Sequence, residues 1–379
     1  MSKMNHNQMT LDQQIGQLFF IGVSGLSLTS DEKKFIVENN ISGVTLFGRN
    51  LQEPKQIHDL CSEIQSLSKQ QSSRSPLFIA IDQEGGRVQR IKDPLTVWPP
   101  LAVAGKLDNT AVTFQWMNLL GMELASFGIN VNWAPCLDVF SNPRNTVIGD
   151  RAISADVAIV EKHASALIRG FIKSGVMSCV KHFPGHGNTL LDSHEDLPVE
   201  TKSLDELNQL ELLPFRKGLR SKADFVMTSH ILFKNIDPNF PVTLSRKFLQ
   251  DILRAEMKFR GLVVSDDLGM KALSKNYEVE DIPVLALNAG VDMLLYCNEF
   301  DSPPLAIDAL LRAVAQGKID KQLIEQIYGQ VQFTKQEKLN KNLQLPFDLA
   351  MKVVTDPRHK DFANSLRRGE IPDLKMFEE

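Results

Sequence analysis

Eight short apolar runs recur along this 379-residue chain, and stretches with helical periodicity separate them. Each run is continuous rather than alternating and is rich in β-branched or aromatic residues, as is typical of parallel strands buried on both faces. The runs are Gln17–Val23, Gly43–Phe47, Leu77–Asp82, Val131–Asp138, Gly175–His182, Phe225–His230, Gly261–Asp266 and Asp292–Cys297. Strands that alternate with helices in this way predict an α/β fold, either a (β/α)8 barrel or a doubly wound open sheet.

Polar residues at the C-terminal ends of these runs favour the barrel. They are Asp82, Asp138, Lys181-His182, Ser229-His230 and Asp266. The active site of a barrel is built at that face from the ends of several strands, whereas an open sheet gathers its useful polar residues at one switch point. The sequence therefore predicts a TIM-like (β/α)8 barrel that forms a single catalytic domain.

Several of the helical segments begin with a serine of the kind that caps helices. Ser30–Asn39, Ser203–Ser221 and Ser245–Met257 start in this way. Further helical segments follow the last run, so the catalytic domain is assigned to residues 1–339. Residues 340–379 are mixed and charged, and we expect them to form a C-terminal helical extension that packs on the barrel or hangs off it.

Charge, cysteine content and the N-terminus limit the partners and the location of the chain. A formal net charge of −4 with no long basic run argues against nucleic acid or an anionic membrane as the main partner. Four widely spaced cysteines without a CxxC pair indicate a reducing compartment. Residues 1–17 lack the basic and apolar regions of a secretory signal, so the sequence predicts a cytoplasmic protein.

The most informative segment is KHFPGHGNTLLDSHEDLP, which spans Lys181 to Pro198 and holds three of the eight histidines. Its glycines and prolines predict a mobile loop over the barrel mouth. Asp192 and His194 are two residues apart, so in extended backbone their side chains lie on the same side. Asp192 then orients His194 as an acid/base. In the alternative interpretation, Asp192 caps a turn and His194 is a surface residue.

A pair of adjacent carboxylates follows a later run, in the segment VVSDDLGM. Asp266 ends the strand and is expected to point into the barrel mouth, and Asp267 is expected to point away from it. A strand-end carboxylate at this face is a candidate nucleophile. In the alternative interpretation, both carboxylates cap the following helix.

Two other loops carry charge after buried runs. The first, DQEGGRVQR, places Asp82, Glu84, Arg87 and Arg90 in one loop that suits a hydroxyl-rich ligand, although Glu84 and Arg87 could instead pair with each other. It lacks the GxxxxGK[ST] pattern of a phosphate-binding loop. The second loop runs from the strand residue Asn132 to Arg151, and its Asp138 is either functional or an anchor for the loop.

These four stretches together resemble glycoside hydrolase family 3, and most of all its single-domain bacterial β-N-acetylglucosaminidases of cell-wall recycling. The resemblance runs from about Leu11 to Gln330 and leaves the C-terminal extension outside. The Lys181–Pro198 segment separates this branch from the two-domain β-glucosidases of the family, which lack the Asp-Ser-His loop. One departure is Ala152-Ile153, where the family commonly has Ser-Phe.

The resemblance implies a role for each matched residue. Asp266 matches the nucleophile, His194 matches the acid/base, and Asp192 matches the partner of that histidine. The sugar-binding positions match Asp82, Arg90, Arg151, Lys181 and His182. The implied enzyme is a retaining, exo-acting β-N-acetylglucosaminidase that cleaves N-acetylglucosaminyl-1,6-anhydro-N-acetylmuramic acid fragments, with or without peptide. It is expected to work as a monomer with this small carbohydrate substrate, without a membrane, a cofactor or a metal.

Three other functions stay open at this point. A metal-dependent barrel hydrolase would use His182, His186, His194 and aspartates as ligands. A phosphorylase or transglycosylase would replace water by phosphate or by a sugar in the second half of the reaction. A catalytically inactive sugar-binding module is the third, and the retention of every matched polar position argues against it.

Overall fold

The computed structural model describes residues 9–190, 193, 195–298, 300–339 and 344–377. Eight parallel strands close into a barrel, in which β1 pairs with both β2 and β8 and every other strand pairs with its neighbours in sequence. The strands are β1 Phe19–Gly22, β2 Gly43–Leu46, β3 Phe78–Ile81, β4 Val131–Asn132, β5 Met177–Phe183, β6 Phe225–Thr228, β7 Leu262–Asp267 and β8 Met293–Tyr296. Each strand begins inside one of the eight predicted runs, so the (β/α)8 prediction is confirmed.

Helices connect the strands and cover the outside of the barrel. They are α1 Leu11–Gly16, α2 Ser30–Glu38, α3 Pro54–Leu67, α4 Ala102–Leu107, α5 Thr110–Ser126, α6 Val157–Ser174, α7 Leu204–Gln209, α8 Leu212–Arg220, α9 Lys271–Ser274, α10 Asp281–Ala289, α11 Ser302–Ala315, α12 Lys321–Lys338, α13 Phe347–Val354 and α14 Pro357–Arg367, together with a π-helix over Lys247–Glu256. None of the helices in the described part of the chain is both long and apolar enough to cross a membrane.

The predicted helix starts are partly correct, with three differences, one of which is that Arg246 rather than Ser245 precedes the π-helix Lys247–Glu256. The hydroxyl of Ser203 accepts a hydrogen bond from the Glu206 backbone N–H, as expected of a helix cap. The cap of α2 is Thr29 rather than Ser30, because Thr29 forms the reciprocal pair with Glu32. The segment Ser203–Ser221, predicted as one helix, is two helices, α7 and α8.

Four aromatic rings fill the interior of the barrel. Phe20, Phe78, Trp133 and Phe225 come from four different strands or strand ends, and their ring centroids lie 4.9–6.2 Å apart. The Phe20–Phe78 pair is stacked and the other pairs meet edge to face, and both arrangements are favourable at these distances. Gly43 makes room for them, because a Cβ atom there would lie 2.6 Å from the Phe20 ring. The packed interior confines any ligand site to the mouth of the barrel.

The described part of the C-terminal extension packs on the barrel. The Gln344 side chain donates to the carbonyls of His58 on α3 and Phe127 at the end of α5, at 2.7 and 2.9 Å. Helix α14 buries His359 and Phe362 against the protein. The division of the chain at residue 339 remains a prediction.

Candidate active site

A cavity of about 210 Å3 opens at the C-terminal ends of the strands. Six predicted site residues line it: Asp82, Arg90, Arg151, Lys181, His182 and Asp266. Asp192 and His194 lie outside the described residues. A wider groove of about 560 Å3 runs between residues 141–144 and 198–201. The smaller cavity is the candidate active site, because the ends of the strands bring these titratable side chains together there.

A network of ion pairs joins the loops after β3 and β4 to strand β5. The Lys181 ammonium lies 2.7 Å from both the Asp82 and the Glu84 carboxylates. The Arg151 guanidinium makes a two-pronged pair with Glu84, with N–O distances of 2.8 and 2.9 Å. Arg90 is 3.5 Å from the second oxygen of Asp82. This network fixes two carboxylates and three cations around the same small cavity.

The charges of this network are stable. Burial opposes the charged forms of Glu84, Lys181 and Arg151, but their mutual attraction is stronger. It holds the pKa of Glu84 far below its usual value and those of Lys181 and Arg151 above theirs. The three groups are therefore ionised around neutral pH, and they present fixed hydrogen-bonding partners to a ligand.

Arg90 keeps donors available for a ligand. Its Nε atom is buried and has no hydrogen-bond partner among the described residues. The guanidinium also lies 5.9 Å from the centre of the Phe47 ring, which lines the cavity beside it. A buried donor without a partner is costly, so a ligand with hydroxyl or carbonyl oxygens fits this position.

His182 is oriented by Asp138. Its Nδ1 atom lies 2.7 Å from Asp138 Oδ2, and its backbone N–H donates to the same carboxylate. Since a carboxylate accepts, Nδ1 carries the proton, and Nε2 faces the Arg151 guanidinium at 3.3 Å. Burial would raise the pKa of Asp138, but the histidines 182 and 186 lower it to about 2. Asp138 thus acts on the site through His182 and also anchors the loop.

His186, in the segment that follows β5, is buried between two hydroxyl groups. Its Nδ1 lies 2.7 Å from Thr189 Oγ1 and its Nε2 lies 3.3 Å from Ser193 Oγ. Burial and the neighbouring His182 lower the pKa of His186 to about 4. A neutral imidazole held on both nitrogens fixes the shape of this segment and is poorly placed to transfer protons.

Asp266 and Asp267 both line the cavity, so the expectation that Asp267 points away is wrong. The register between β7 and β8 shifts between Val264 and Asp267, and this irregularity interrupts the strict alternation of side chains. The Asp267 carboxylate accepts from the Gly269 backbone N–H at 3.0 Å and from Asn298 Nδ2 at 2.9 Å. Burial, together with the Asp266 carboxylate, raises the pKa of Asp267.

Cys136, Asp138 and His182 form the one group of potential metal ligands found among the described residues. Their ligand atoms already bond to one another: the Cys136 thiol donates to Asp138 Oδ2 at 3.2 Å, and His182 Nδ1 donates to the same oxygen. Burial also raises the pKa of Cys136 well above its usual value, which opposes the thiolate that a metal requires. These residues fit a hydrogen-bonded network better than a metal site.

Sequence reasoning missed the partners of Glu84. The alternative that it pairs with Arg87 is wrong, because Glu84 binds Arg151 and Lys181, while Arg87 lies 3.2 Å from Asp150 at the surface. The only signal in the sequence was the position of Glu84, two residues beyond Asp82 and therefore close to the end of a buried strand.

The comparisons with known proteins agree with this geometry. Residues 10–333 match the sequence profile described as the N-terminal domain of glycosyl hydrolase family 3. A β-hexosaminidase from Stenotrophomonas maltophilia is 36% identical over 310 residues, which cover 79% of this chain and 88% of that protein.

Two solved structures are also similar. A family 3 β-N-acetylglucosaminidase from Paenibacillus sp. has a TM-score of 0.91 and 36% identity, with 96% of this chain and 69% of that one covered. NagZ from Neisseria gonorrhoeae, in complex with N-trifluoroacetyl-D-glucosamine, has a TM-score of 0.75 and 30% identity, with 93% and 97% covered. The chain therefore belongs to glycosyl hydrolase family 3, in its β-hexosaminidase branch.

Proposed function

We propose that this enzyme is a retaining β-N-acetylglucosaminidase that releases N-acetylglucosamine from the non-reducing end of its substrate. The observation that carries the proposal is the position of Asp266. It stands at the end of β7 in the wall of a small cavity that also holds the ion pairs of Asp82, Arg90, Arg151 and Lys181. A carboxylate at a barrel mouth beside oxygen-binding groups fits attack on an anomeric carbon.

The size and polarity of the cavity support a single terminal sugar. A volume of about 210 Å3 is small, and its lining combines Asp82, Arg90 and Lys181 with the apolar faces of Phe47 and Trp133. Charged groups bind hydroxyls, and apolar faces pack against a sugar ring. The related NagZ structure with bound N-trifluoroacetyl-D-glucosamine supports an N-acylated glucosamine as the unit that enters this cavity.

We further propose that the natural substrates are N-acetylglucosaminyl-1,6-anhydro-N-acetylmuramic acid fragments, with or without peptide. This proposal is supported by the family resemblance of the Lys181–Pro198 segment. A direct comparison tests it: kcat/KM on this disaccharide should exceed that on a chitin disaccharide, which offers the same sugar on a different aglycone. Equal values on the two disaccharides would contradict the proposed aglycone.

The reaction has two steps. First, a carboxylate oxygen of Asp266 bonds to the anomeric carbon while the bond to the aglycone oxygen breaks, and protonated His194 gives its proton to that oxygen. In the second step, neutral His194 takes a proton from water, the water oxygen bonds to the anomeric carbon, and the Asp266 carboxylate leaves. Two displacements at one carbon retain the β configuration.

A histidine suits the acid/base role near neutral pH. Its unperturbed pKa of about 6.5 allows both protonation states, whereas a carboxyl group must have its pKa raised by burial to do the same work. In this proposal Asp192 orients His194, and Asp82, Arg90, Arg151, Lys181 and His182 bind the sugar. The ion pairs of Asp82, Arg90, Arg151 and Lys181 keep their hydrogen-bond donors fixed while the charge on the sugar changes.

Trapping of the intermediate tests the nucleophile. A slow fluorinated N-acetylglucosaminide should leave one sugar on the peptide that contains Asp266 and Asp267, and fragmentation by mass spectrometry should locate it on Asp266. The Asp266→Ala protein is the control and should remain unlabelled. A sugar located on Asp267, or no covalent sugar under conditions of slow turnover, would contradict the assignment.

A further inference from the structure

We propose that the C-terminal helix α14 positions the substrate-binding hairpin Gln83–Gln89, and that His359 is the positioning residue. The functional part of this inference rests on the sugar-binding role proposed for Asp82 and Arg90. Helix α14 lies beyond residues 10–333, the part of the chain that matches the family profile. Its buried contacts nevertheless lead to the loop that carries both residues.

The first contact joins α14 to a buried carboxylate. His359 is 3% exposed, and its Nδ1 lies 2.8 Å from Oε1 of Glu123, which is 1% exposed on α5. The same carboxylate accepts from the Thr96 hydroxyl at 2.6 Å and from Trp98 Nε1 at 3.3 Å. Glu123 therefore needs all of these donors, because an incompletely bonded buried carboxylate is costly.

Helix α14 also holds the Thr96–Trp98 segment directly. The ring of Phe362 meets Trp98 edge to face, with centroids 6.2 Å apart. The Arg367 guanidinium donates to the Val97 carbonyl, and Lys360 lies 3.2 Å from Asp93. These contacts extend from His359 to Arg367, a little over two turns, so most of α14 lies along residues 93–98.

The next contacts join this segment to the hairpin. The Gly86 backbone N–H donates to the Trp98 carbonyl at 2.9 Å, and the Trp98 backbone N–H donates to Gln89 Oε1 at 2.9 Å. The Gly85-Gly86 turn has positive φ angles of 100° and 58°, and a Cβ atom on Gly85 would lie 2.4 Å from the Pro99 carbonyl. The turn thus fits closely against residues 98–100, so its position follows theirs.

The hairpin carries the site residues at its two ends. Gln83 Oε1 accepts from the backbone N–H groups of Arg90 and Ile91 at 2.9 and 3.1 Å, which closes the hairpin. Glu84 lies between Asp82 and this turn and binds Lys181 and Arg151. A small displacement of the turn would move Arg90 and Glu84 relative to the sugar, and displacements of that kind reduce activity strongly.

Three full-length variants test the inference. His359→Leu puts an apolar side chain in place of the imidazole and removes the donor to Glu123, whereas His359→Asn keeps an N–H donor close to the position of Nδ1. Gln344→Ala is the matched control, since it loosens the same extension where it contacts α3 and α5. The measurements are KM and kcat on an aryl N-acetylglucosaminide, hydrogen exchange of the peptide 83–91, and the melting temperature.

We expect His359→Leu to raise KM by roughly five- to tenfold, with a smaller change in kcat, and to speed exchange in peptide 83–91. His359→Asn should return KM and the exchange rate of peptide 83–91 towards the wild-type values. Gln344→Ala should lower the melting temperature without changing KM or that exchange rate. If His359→Leu lowers only the melting temperature, α14 merely stabilises the fold and the inference is wrong. Should that variant not fold, Phe362→Leu, which trims the contact with Trp98, is measured in the same way.

Arg90→Ala separates this inference from the proposed function. If Arg90→Ala leaves KM unchanged, the hairpin does not bind the sugar, and the sugar-binding assignment fails. The exchange of peptide 83–91 in the His359 variants then decides by itself whether α14 positions the hairpin.

Discussion

Arg151 and Glu84 form a two-pronged ion pair across the barrel mouth, although 67 residues separate them in sequence. Glu84 is 1% exposed at its side chain and also binds Lys181. The pair connects the hairpin after β3 to the loop after β4, and Lys181 extends the connection to β5. The pair thus links parts of the chain that surround the proposed sugar site through charge-assisted hydrogen bonds.

Replacement of Glu84 by glutamine tests that link. The amide keeps the size of the side chain but removes its charge, so Lys181 keeps only its pair with Asp82 and Arg151 loses its pair with Glu84. We expect the free energy of unfolding to fall by roughly 3 kcal/mol or more, as is usual when one member of a buried pair is lost. Chemical denaturation measures this change, and KM should rise because Arg151 and Lys181 lose their positions.

Asp150→Asn is the matched control for this variant. Asp150 pairs with Arg87 in the same region, but the two side chains are 50% and 46% exposed. Exposed pairs contribute less than about 1 kcal/mol, so this change should be nearly silent. Equal losses of stability in the two variants would show that burial of the Glu84 network is unimportant.

Asp266 and Asp267 should differ sharply in their effect on catalysis. We expect Asp266→Ala to reduce kcat/KM on an aryl N-acetylglucosaminide by roughly 1000-fold or more, since the covalent step is lost. Asp267→Asn should cost only about tenfold or less, because one oxygen can still accept from the Gly269 N–H. Added azide should rescue Asp266→Ala and give the α-glycosyl azide, as a small anion replaces the missing carboxylate. If azide instead rescued an inactive Asp267→Ala protein, Asp267 and not Asp266 would be the nucleophile.

The barrel and the position of Asp266 could be predicted because both depend on local sequence. Continuous apolar runs identify buried parallel strands, and a carboxylate directly after such a run lies at the mouth. The partners of Glu84 could not be predicted in the same way, because they meet only when β3, β4 and β5 lie side by side. The register shift before Asp267 is equally hidden, since nothing in VVSDDLGM marks the irregularity.

The role of the C-terminal extension was hidden for a different reason. Its residues are mixed and include many charges, and composition alone indicates a surface segment. The buried face of α14 consists of His359, Phe362, Ala363 and Leu366 at helical spacing, but a histidine and an alanine in that face leave its apolar character weak in the sequence. Glu123, which His359 contacts, stands in a helix whose buried apolar residues gave no hint of a buried carboxylate.

The stability of the protein should fall as the pH is lowered from about 6.5 to 4, and His186 should account for part of the loss. Burial lowers the pKa of His186 from 6.5 to about 4, so between these values the unfolded chain binds a proton that the folded protein does not. The unfolding free energy therefore falls by at most about 1.4 kcal/mol per pH unit in this window. The unfolding free energies of wild type and His186→Gln, obtained from denaturation curves and plotted against pH, should run parallel above pH 7 and converge below 6.5.

The contribution of Asp138 to the unfolding free energy changes in a lower pH range, so it does not interfere with the measurement on His186. The pKa of Asp138 is lowered to about 2, so the stability that its ionised form provides is complete above its unfolded value of 3.8 and is lost below it. A difference between wild type and His186→Gln that stayed constant from pH 7 to 4 would show that His186 is not kept neutral by burial.

His194 should matter most for substrates whose leaving groups need a proton. His194 lies outside the described residues, and its proposed role as general acid makes a distinct kinetic prediction. In His194→Ala, kcat/KM should fall by roughly 100-fold for aryl N-acetylglucosaminides with poor leaving groups and should change little for the best ones. The matched control is His186→Gln, because the ring nitrogens of His186 contact Thr189 and Ser193. Any loss of kcat/KM in this variant should be the same for good and poor leaving groups. An equal loss on good and poor leaving groups in His194→Ala would show that His194 does not donate the proton to the aglycone oxygen.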